Sequence, residues 1–146
     1  MPDLTIIKAM AMVAEFHAAF KQPVRDTPIA QIPAKEARLR YSVALEELNE
    51  YEFAYATDDN TEILDALTDQ LYVLCGTIIA HGMQGVIGDA FKEVHASNMS
   101  KLGSDGEPIF REDGKILKGP DYVKPDLDKI LYPLPFQEDY QQDEIL

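Results

Sequence analysis

Apolar residues recur every three or four positions over four stretches of the chain, which is the spacing of one face of an α-helix. These stretches run from Asp3 to Lys21, from Ala34 to about Ala56, from Thr61 to His81, and from about Gly85 to Lys101. Gly82 follows the third stretch, in the position where glycine commonly ends a helix. The pattern therefore predicts an all-α fold, a four-helix bundle-like domain.

The third predicted helix is the most apolar of the four. Its apolar seam consists of Leu64, Leu67, Leu71, Leu74 and Ile78. No charged residue occurs from Leu71 to Ala80, and a helix that is apolar on every face is typically buried. We therefore expect a central, buried element.

Four such helices offer more apolar surface than one small bundle can bury, so we also predict a homo-oligomer, most simply a dimer. The first helix and the seam are the candidate interfaces.

The segments outside the helices are rich in residues that disfavour regular structure. Three prolines between Gln22 and Pro33 indicate an extended connector. From Gly103 onward, glycine, proline and charged residues become frequent. We predict one domain over residues 1–125, in which residues 103–125 form a mobile lid that orders over a ligand. Residues 126–146 would form an acidic, proline-containing C-terminal tail.

The charge balance narrows the possible partners. The chain has 13 basic and 26 acidic residues, which argues against binding to a nucleic-acid polymer, because phosphate backbones attract basic surfaces. A surplus of carboxylates suits hard cations such as Mg²⁺. The single cysteine, Cys75, excludes an internal disulfide. We find neither a signal sequence nor a long uncharged apolar stretch, and we expect a cytoplasmic protein that does not bind membranes.

Carboxylates on the second predicted helix interrupt an apolar stripe. At about 100° per residue, Glu46, Glu47 and Glu50 fall within one arc. Leu39 and Val43 precede them on that arc, and Phe53 and Ala54 follow one turn later. A merely solvated acidic face would not be bracketed by apolar residues in this way.

The third predicted helix repeats this arrangement, with Glu62, Asp65 and Asp69 on one stripe that continues into apolar positions. Inward-facing carboxylates are costly to bury and repel each other, and a bound divalent cation relieves both problems. Histidines are absent at ligand spacing, so the oxygen-only set favours Mg²⁺, with Mn²⁺ as the alternative. The competing interpretation makes Glu46 and Glu62 ordinary surface acids and Glu50 an ion-pair partner of a nearby base.

Basic residues are concentrated from the end of the fourth predicted helix onward, at Lys101, Arg111, Lys115 and Lys118. Lysines on one side of a polyphosphate and a metal ion on the other would neutralise its charge. The alternative for Lys115 and Lys118 is an ordinary solvated loop.

Together these motifs resemble the MazG-like and phosphoribosyl-ATP pyrophosphohydrolase-like all-α nucleotide pyrophosphohydrolases. The family's Glu-Glu-x-x-Glu motif corresponds to residues 46–50, and its Asp-Leu-Leu-Tyr-Val segment resembles residues 69–73. Further matches are Phe16-His17-x-x-Phe20, Phe91-x-Glu93-Val94-His95-x-x-Asn98-Met99-Ser100-Lys101, and Asp113-Gly114-Lys115 with Lys118. The resemblance covers roughly residues 14–125.

The resemblance implies an enzyme that hydrolyses a nucleoside triphosphate between the α and β phosphates, releasing a monophosphate and pyrophosphate. By analogy, a deoxynucleotide house-cleaning role is favoured over histidine biosynthesis. Glu47, Glu50 and Asp69 would bind Mg²⁺ with help from Asp65, and Glu46 would be the catalytic base. The implied substrate-binding residues are Asn98, Lys101, Lys115, Lys118 and Tyr122.

One departure from the family pattern lies on the third helix. Many members have Glu three residues before the final Asp, whereas this chain has Ala66 there and an acid one residue earlier, Asp65. The number of metal ions and the role of Glu62 stay open. Three alternative functions also stay open: a non-catalytic helical interaction module, a phosphoribosyl-ATP pyrophosphohydrolase, and an oxygen-activating carboxylate bundle, which the lack of paired histidines disfavours.

Overall fold

A computed structural model describes residues 3–134 of the protein, and within this range it is all-α, with no β-strand. The five helices are α1 (Ile6–Ala19), α2 (Ala34–Ala56), α3 (Asn60–Ala80), α4 (Ile87–Met99) and α5 (Asp128–Leu131). The predicted fold class is confirmed, and the four longer helices lie within a few residues of the predicted ranges. The short α5 was not predicted, because four residues are too few for an apolar period to show.

Short polar residues and glycine define where the helices begin and end. The Thr5 side chain accepts a hydrogen bond from the Lys8 amide at the start of α1. At the start of α3, the Asp59 carboxylate accepts hydrogen bonds from the amides of Thr61 (2.9 Å) and Glu62 (3.1 Å). Gly82 follows α3 with φ of 66°, and a side chain there would collide with the backbone of Thr27. These contacts stabilise the helix ends.

The chain divides into two compact units, and the first ends at Gly88. In this unit α1 and α2 both pack against α3. Met10 and Val13 of α1 form the core together with Cys75 and Ile79 of α3. The connector is tied to the helices by Arg25, which donates two hydrogen bonds to the Glu36 carboxylate and one to the backbone oxygen of Ala80. This arginine therefore links the start of α2 to the end of α3.

The uncharged second half of α3, residues 71–80, predicts burial on every face, but the structure buries it only in part. Leu64, Leu71 and Leu74 are 67%, 46% and 56% exposed, whereas Cys75, Gly76, Ile79 and Ala80 are buried. The reason is that the described helices that pack on α3 cover its other faces. By length and hydropathy α3 could cross a membrane, but the core helix of a soluble protein passes the same test. The first half of α3 also contains three acidic residues, Glu62, Asp65 and Asp69.

Gly76 allows a close approach of three helices. A Cβ atom at this position would lie 2.6 Å from Nη1 of Arg40 and 2.9 Å from Nε2 of His17. The His17 ring is buried, and its Nδ1 lies 3.0 Å from the backbone oxygen of Pro23. The arginine tip can move, whereas the ring is held, so the absence of a side chain at Gly76 is needed for α1, α2 and α3 to pack here.

The second unit begins at Asp89. The Glu93 carboxylate on α4 accepts hydrogen bonds from the Asp126 amide (2.9 Å) and from Nζ of Lys129 (2.9 Å). These contacts lower the pKa of Glu93, with the backbone hydrogen bond as the largest cause. The Ser100 hydroxyl accepts from the Val123 amide (2.9 Å). The segment after α4 is therefore attached to Glu93 on α4 and to Ser100, the residue that follows α4.

The predicted domain boundary at residues 125/126 stays a prediction. Of the predicted tail 126–146, residues 126–134 are described and include α5. Residues 135–146 lie outside the described range.

We expect Gly76→Ala to lower the free energy of unfolding by about 1–3 kcal/mol, because the new methyl group collides with the held His17 ring. Urea unfolding measures this change. Gly88→Ala is the matched control: nothing lies within 4 Å of its Cβ position, so its stability should be unchanged or up to about 1 kcal/mol higher. Equal stability of the Gly76→Ala variant and the wild type would contradict the proposed packing.

Candidate metal centre and active site

The packing of α2 against α3 brings acids from both helices together. Glu47, Glu50 and Asp69 each offer one carboxylate oxygen, and these three oxygens lie within 4.8 Å of one another. Glu47 and Glu50 share a face of α2 because they are three residues apart. Nearby, Nε2 of Gln70 donates a hydrogen bond to the backbone oxygen of Glu47 (3.3 Å), which fixes α3 beside α2 at this level.

Glu47 carries a buried carboxylate oxygen. The residue is half-buried, and its Oε2 atom is inaccessible to solvent and has no hydrogen-bond partner among the described residues. Burial raises the pKa of Glu47, and the negative charges of Glu50, Asp69, Glu46 and Asp65 raise it further, in decreasing order. The same causes make the ionised carboxylate unfavourable in the absence of a positive charge.

The other predicted acids lie around this trio. Glu46 and Asp65 are exposed and are not part of the group of three, although both charges are close enough to affect the pKa of Glu47. Glu62 lines a cavity of about 380 Å³ together with Asn49, Glu50 and Phe53. Glu62 is therefore close to one edge of the carboxylate group. The sequence leaves the role of Glu62 open.

The chemistry of these residues fits a divalent metal ion. An oxygen atom that is buried without a hydrogen-bond donor costs free energy, and a cation that binds it removes this cost. The group contains carboxylates only, and oxygen ligands suit Mg²⁺ or Mn²⁺. The predicted trio is thus brought together, with Asp65 and Glu46 adjacent to it.

The predicted substrate-binding residues belong to the second unit, where four of the five lie close together. Nζ of Lys101 donates to Oδ1 of Asn98 (2.8 Å), and Nζ of Lys118 lies 4.5 Å from the centre of the Tyr122 ring. The Gly119 amide donates to the backbone oxygen of Lys101 (2.9 Å), which joins the two pairs. We call these four residues the Lys101–Tyr122 cluster.

Lys115 lies on a separate turn, where its amide donates to Oδ1 of Asp113 and its backbone oxygen accepts from the Arg111 amide. Arg111 has a partner on the same turn, which its sequence neighbourhood does not make evident. Its guanidinium forms a two-point ion pair with Asp113, at 2.9 and 2.5 Å. Residues two apart in a tight turn can face each other, which helical spacing would not reveal.

Sequence reasoning missed two residues with supporting roles, one in each compact unit. Gln70 is polar on a largely apolar helix, directly after Asp69, and that contrast was the available signal for its role beside Glu47. Glu93 was noted only as part of a motif. Its two hydrogen-bond partners are 33 and 36 positions away in sequence, so no local pattern identifies its role.

We expect Mg²⁺ to stabilise the wild type but not Glu47→Gln. At a hundred times its Kd, a ligand that binds only the folded state contributes about 2.7 kcal/mol, and thermal unfolding with and without Mg²⁺ detects this. Without metal the variant should be at least as stable as the wild type, because one repelling charge is gone. Glu52→Gln, an exposed acid on α2 outside the group, is the control and should respond to Mg²⁺ like the wild type. A normal response of Glu47→Gln would contradict the site.

Comparisons with known proteins place the chain in a family. The phosphoribosyl-ATP pyrophosphohydrolase family model matches residues 13–98. A search of curated proteins finds no match. Among solved structures, the chain is similar to a candidate NTP pyrophosphohydrolase from Exiguobacterium sp. 255-15, with 28% identity, coverage of 80% of this chain and 88% of that chain, and a TM-score of 0.37. Because the family match spans more than half of the sequence and contains every acid of the carboxylate group, the chain belongs to the phosphoribosyl-ATP pyrophosphohydrolase family and is a pyrophosphohydrolase.

Proposed function

We propose that the protein hydrolyses nucleoside triphosphates, deoxynucleoside triphosphates foremost, between the α and β phosphates in a Mg²⁺-dependent reaction. The observation that supports this most strongly is the carboxylate group of Glu47, Glu50 and Asp69, with one buried oxygen that lacks a partner. A pyrophosphohydrolase needs positive charge on the phosphates during cleavage, and this acidic group can supply it only by binding a cation.

Glu47, Glu50 and Asp69 would hold the ion, and the nearby Asp65 would add a further carboxylate. When bound, Mg²⁺ supplies a Lewis acid that neutralises phosphate charge and lowers the pKa of water. Mn²⁺ satisfies the same ligands. The helices contribute preorganisation: the Gln70 hydrogen bond to Glu47 and the α2–α3 packing fix the ligands before the substrate binds.

Glu46 is the proposed general base. It is exposed and lies beside Glu47 on α2, so its carboxylate is accessible to a water molecule next to the phosphates. The carboxylate takes a proton from this water while the water oxygen bonds to one of the two phosphorus atoms flanking the α–β bridge. The bond from that phosphorus to the bridging oxygen breaks, and a monophosphate and pyrophosphate are released.

Lysines of the second unit would bind the phosphates. Lys101 and Lys118 of the Lys101–Tyr122 cluster are joined through the Gly119 amide, and Lys115 is exposed on its turn. Asn98 and Tyr122 offer a hydrogen-bonding amide and an aromatic ring for the sugar or base. Segment 103–125 is the proposed lid, with charge-assisted contacts to phosphate offsetting the entropy lost on ordering.

We also propose a homo-oligomer, most simply a dimer, in the cytoplasm. The exposed seam of α3 supports this, because Leu64, Leu71 and Leu74 would be covered by a second copy.

The alternative function, a non-catalytic helical interaction module, requires only the apolar surface. It leaves the unpartnered carboxylate oxygen of Glu47 without a role. Magnesium-dependent turnover separates the two functions.

We expect a screen of all common NTPs and dNTPs, with phosphoribosyl-ATP added, to give Mg²⁺-dependent release of pyrophosphate and no inorganic phosphate. Glu46→Gln should lower kcat by about 10²–10⁴-fold, the usual contribution of a general base, and should retain the stabilisation by Mg²⁺. Glu52→Gln is again the control, with activity like the wild type. Release of phosphate alone would place the cleavage at another bond, and near-normal turnover of Glu46→Gln would assign the base to a different residue.

We expect the double variant Lys115→Ala/Lys118→Ala to raise KM for the best substrate by about tenfold or more, since a hydrogen bond to a charged group contributes about 1.5–3 kcal/mol. Stabilisation by Mg²⁺ alone should not change. Lys92→Ala is the matched control, because that lysine is 80% exposed and pairs with Asp89 on α4. An unchanged KM in the double variant would return both lysines to the role of a solvated loop.

A further inference from the structure

Three aromatic side chains lie together where α1 packs on α3. The ring centre of Phe16 is 4.4 Å from that of Phe20 and 5.7 Å from that of Tyr72, with an edge-on orientation to Tyr72. These distances are typical of favourable aromatic pairs. Phe16, Phe20 and Tyr72 therefore form one continuous aromatic surface, contributed by two helices.

This aromatic surface remains accessible to solvent. Phe16, Phe20 and Tyr72 are 41%, 63% and 39% exposed. The core formed by α1 and α3 is made by other residues, Met10, Val13, Cys75 and Ile79. The three rings are thus not needed to fill the core, and a contiguous exposed aromatic patch commonly marks a binding site.

The position of the aromatic surface relates it to the carboxylate group. Tyr72 follows Asp69 by three residues on α3, so the two side chains share a face and their backbones are about 4.5 Å apart along the helix axis. Asp69 in turn lies within the oxygen cluster with Glu47 and Glu50. The surface begins one helical turn from the place where the phosphates would be bound.

We propose that Phe16, Phe20 and Tyr72 form a stacking surface for the nucleobase of the substrate, an inference that rests on the proposed function. A sugar separates the α phosphate from the base, so a nucleotide held at the carboxylates has its base displaced from them, and the rings offer flat apolar area on that side. Every base has a π face, and stacking on aromatic rings tolerates different bases. The surface orients the nucleoside without selecting a particular base.

The open area is mainly contributed by Phe20. It is the most exposed of the three rings, and Phe16 lies between it and Tyr72. Phe20 is thus the ring that a base would cover, and Phe16 and Tyr72 hold it in place. Replacing Phe20 removes stacking area with little loss of packing, which makes it the most direct position to test.

The experiment compares ligands with and without a base. We use the wild type, Phe20→Ala, and the control Ile7→Ala. Ile7 is a 70% exposed apolar residue on α1, and it precedes Phe16 by nine residues, a spacing that puts the two on opposite faces of a helix. Calorimetry with Mg²⁺ measures the Kd of α,β-methylene dATP and α,β-methylene dUTP, which resist cleavage at the proposed bond, and of inorganic tripolyphosphate, which has no base. Sedimentation velocity follows the oligomeric state of each variant.

Phe20→Ala should bind both nucleotide analogues at least about fivefold more weakly, the lower end of the range for one base–aromatic stack. Its Kd for tripolyphosphate, the oligomeric state, and all properties of Ile7→Ala should match the wild type. Unchanged nucleotide binding, equal weakening of tripolyphosphate binding, or a change of oligomeric state in Phe20→Ala would each overturn the stacking surface. If the wild type bound neither the analogues nor tripolyphosphate, the proposed function itself would fail as well.

Discussion

Repulsion between carboxylates on α2 and α3 is the interaction that the rest of the site depends on. One carboxylate oxygen from each of Glu47, Glu50 and Asp69 lies within 4.8 Å of the other two, because α2 packs on α3. Oε2 of Glu47 is buried and accepts no hydrogen bond from the described residues. An isolated cluster of this kind opposes folding, so the surrounding structure must hold the helices together against it. This unfavourable free energy favours binding of a divalent cation, because the carboxylate ligands are already in place and need no reorganisation.

Contacts away from the acids provide this support. The Arg25–Glu36 ion pair and the Arg25 hydrogen bond to Ala80 join the start of α2 to the end of α3. Gly76 lets Arg40 and His17 approach α3 closely. The position of Glu47 relative to Asp69 is therefore set by packing two turns away, as well as by the Gln70 hydrogen bond beside it. Changes at these supporting residues can alter the metal site without touching it.

Helical periodicity was sufficient to predict the four long helices and the helix faces that carry the acids, because both follow from the spacing of residues along one helix. It did not show which helix faces are covered. The absence of charge from Leu71 to Ala80 predicts burial on every face of that stretch, yet Leu71 and Leu74 are exposed, because burial depends on where α1 and α2 pack. The Arg111–Asp113 pair depends on turn geometry, and the Glu93–Lys129 pair joins residues that are distant in sequence. The position of Phe16 between Phe20 and Tyr72 depends on the packing of two helices.

The central claim is that the acids of α2 and α3 form one binding site for a divalent cation. Crystals grown or soaked with Mn²⁺ and measured for anomalous scattering locate such an ion directly. The account predicts an anomalous peak in contact with carboxylate oxygens of Glu47, Glu50 and Asp69. A well-ordered Mn²⁺ bound elsewhere, with Oε2 of Glu47 still without a partner, would contradict it.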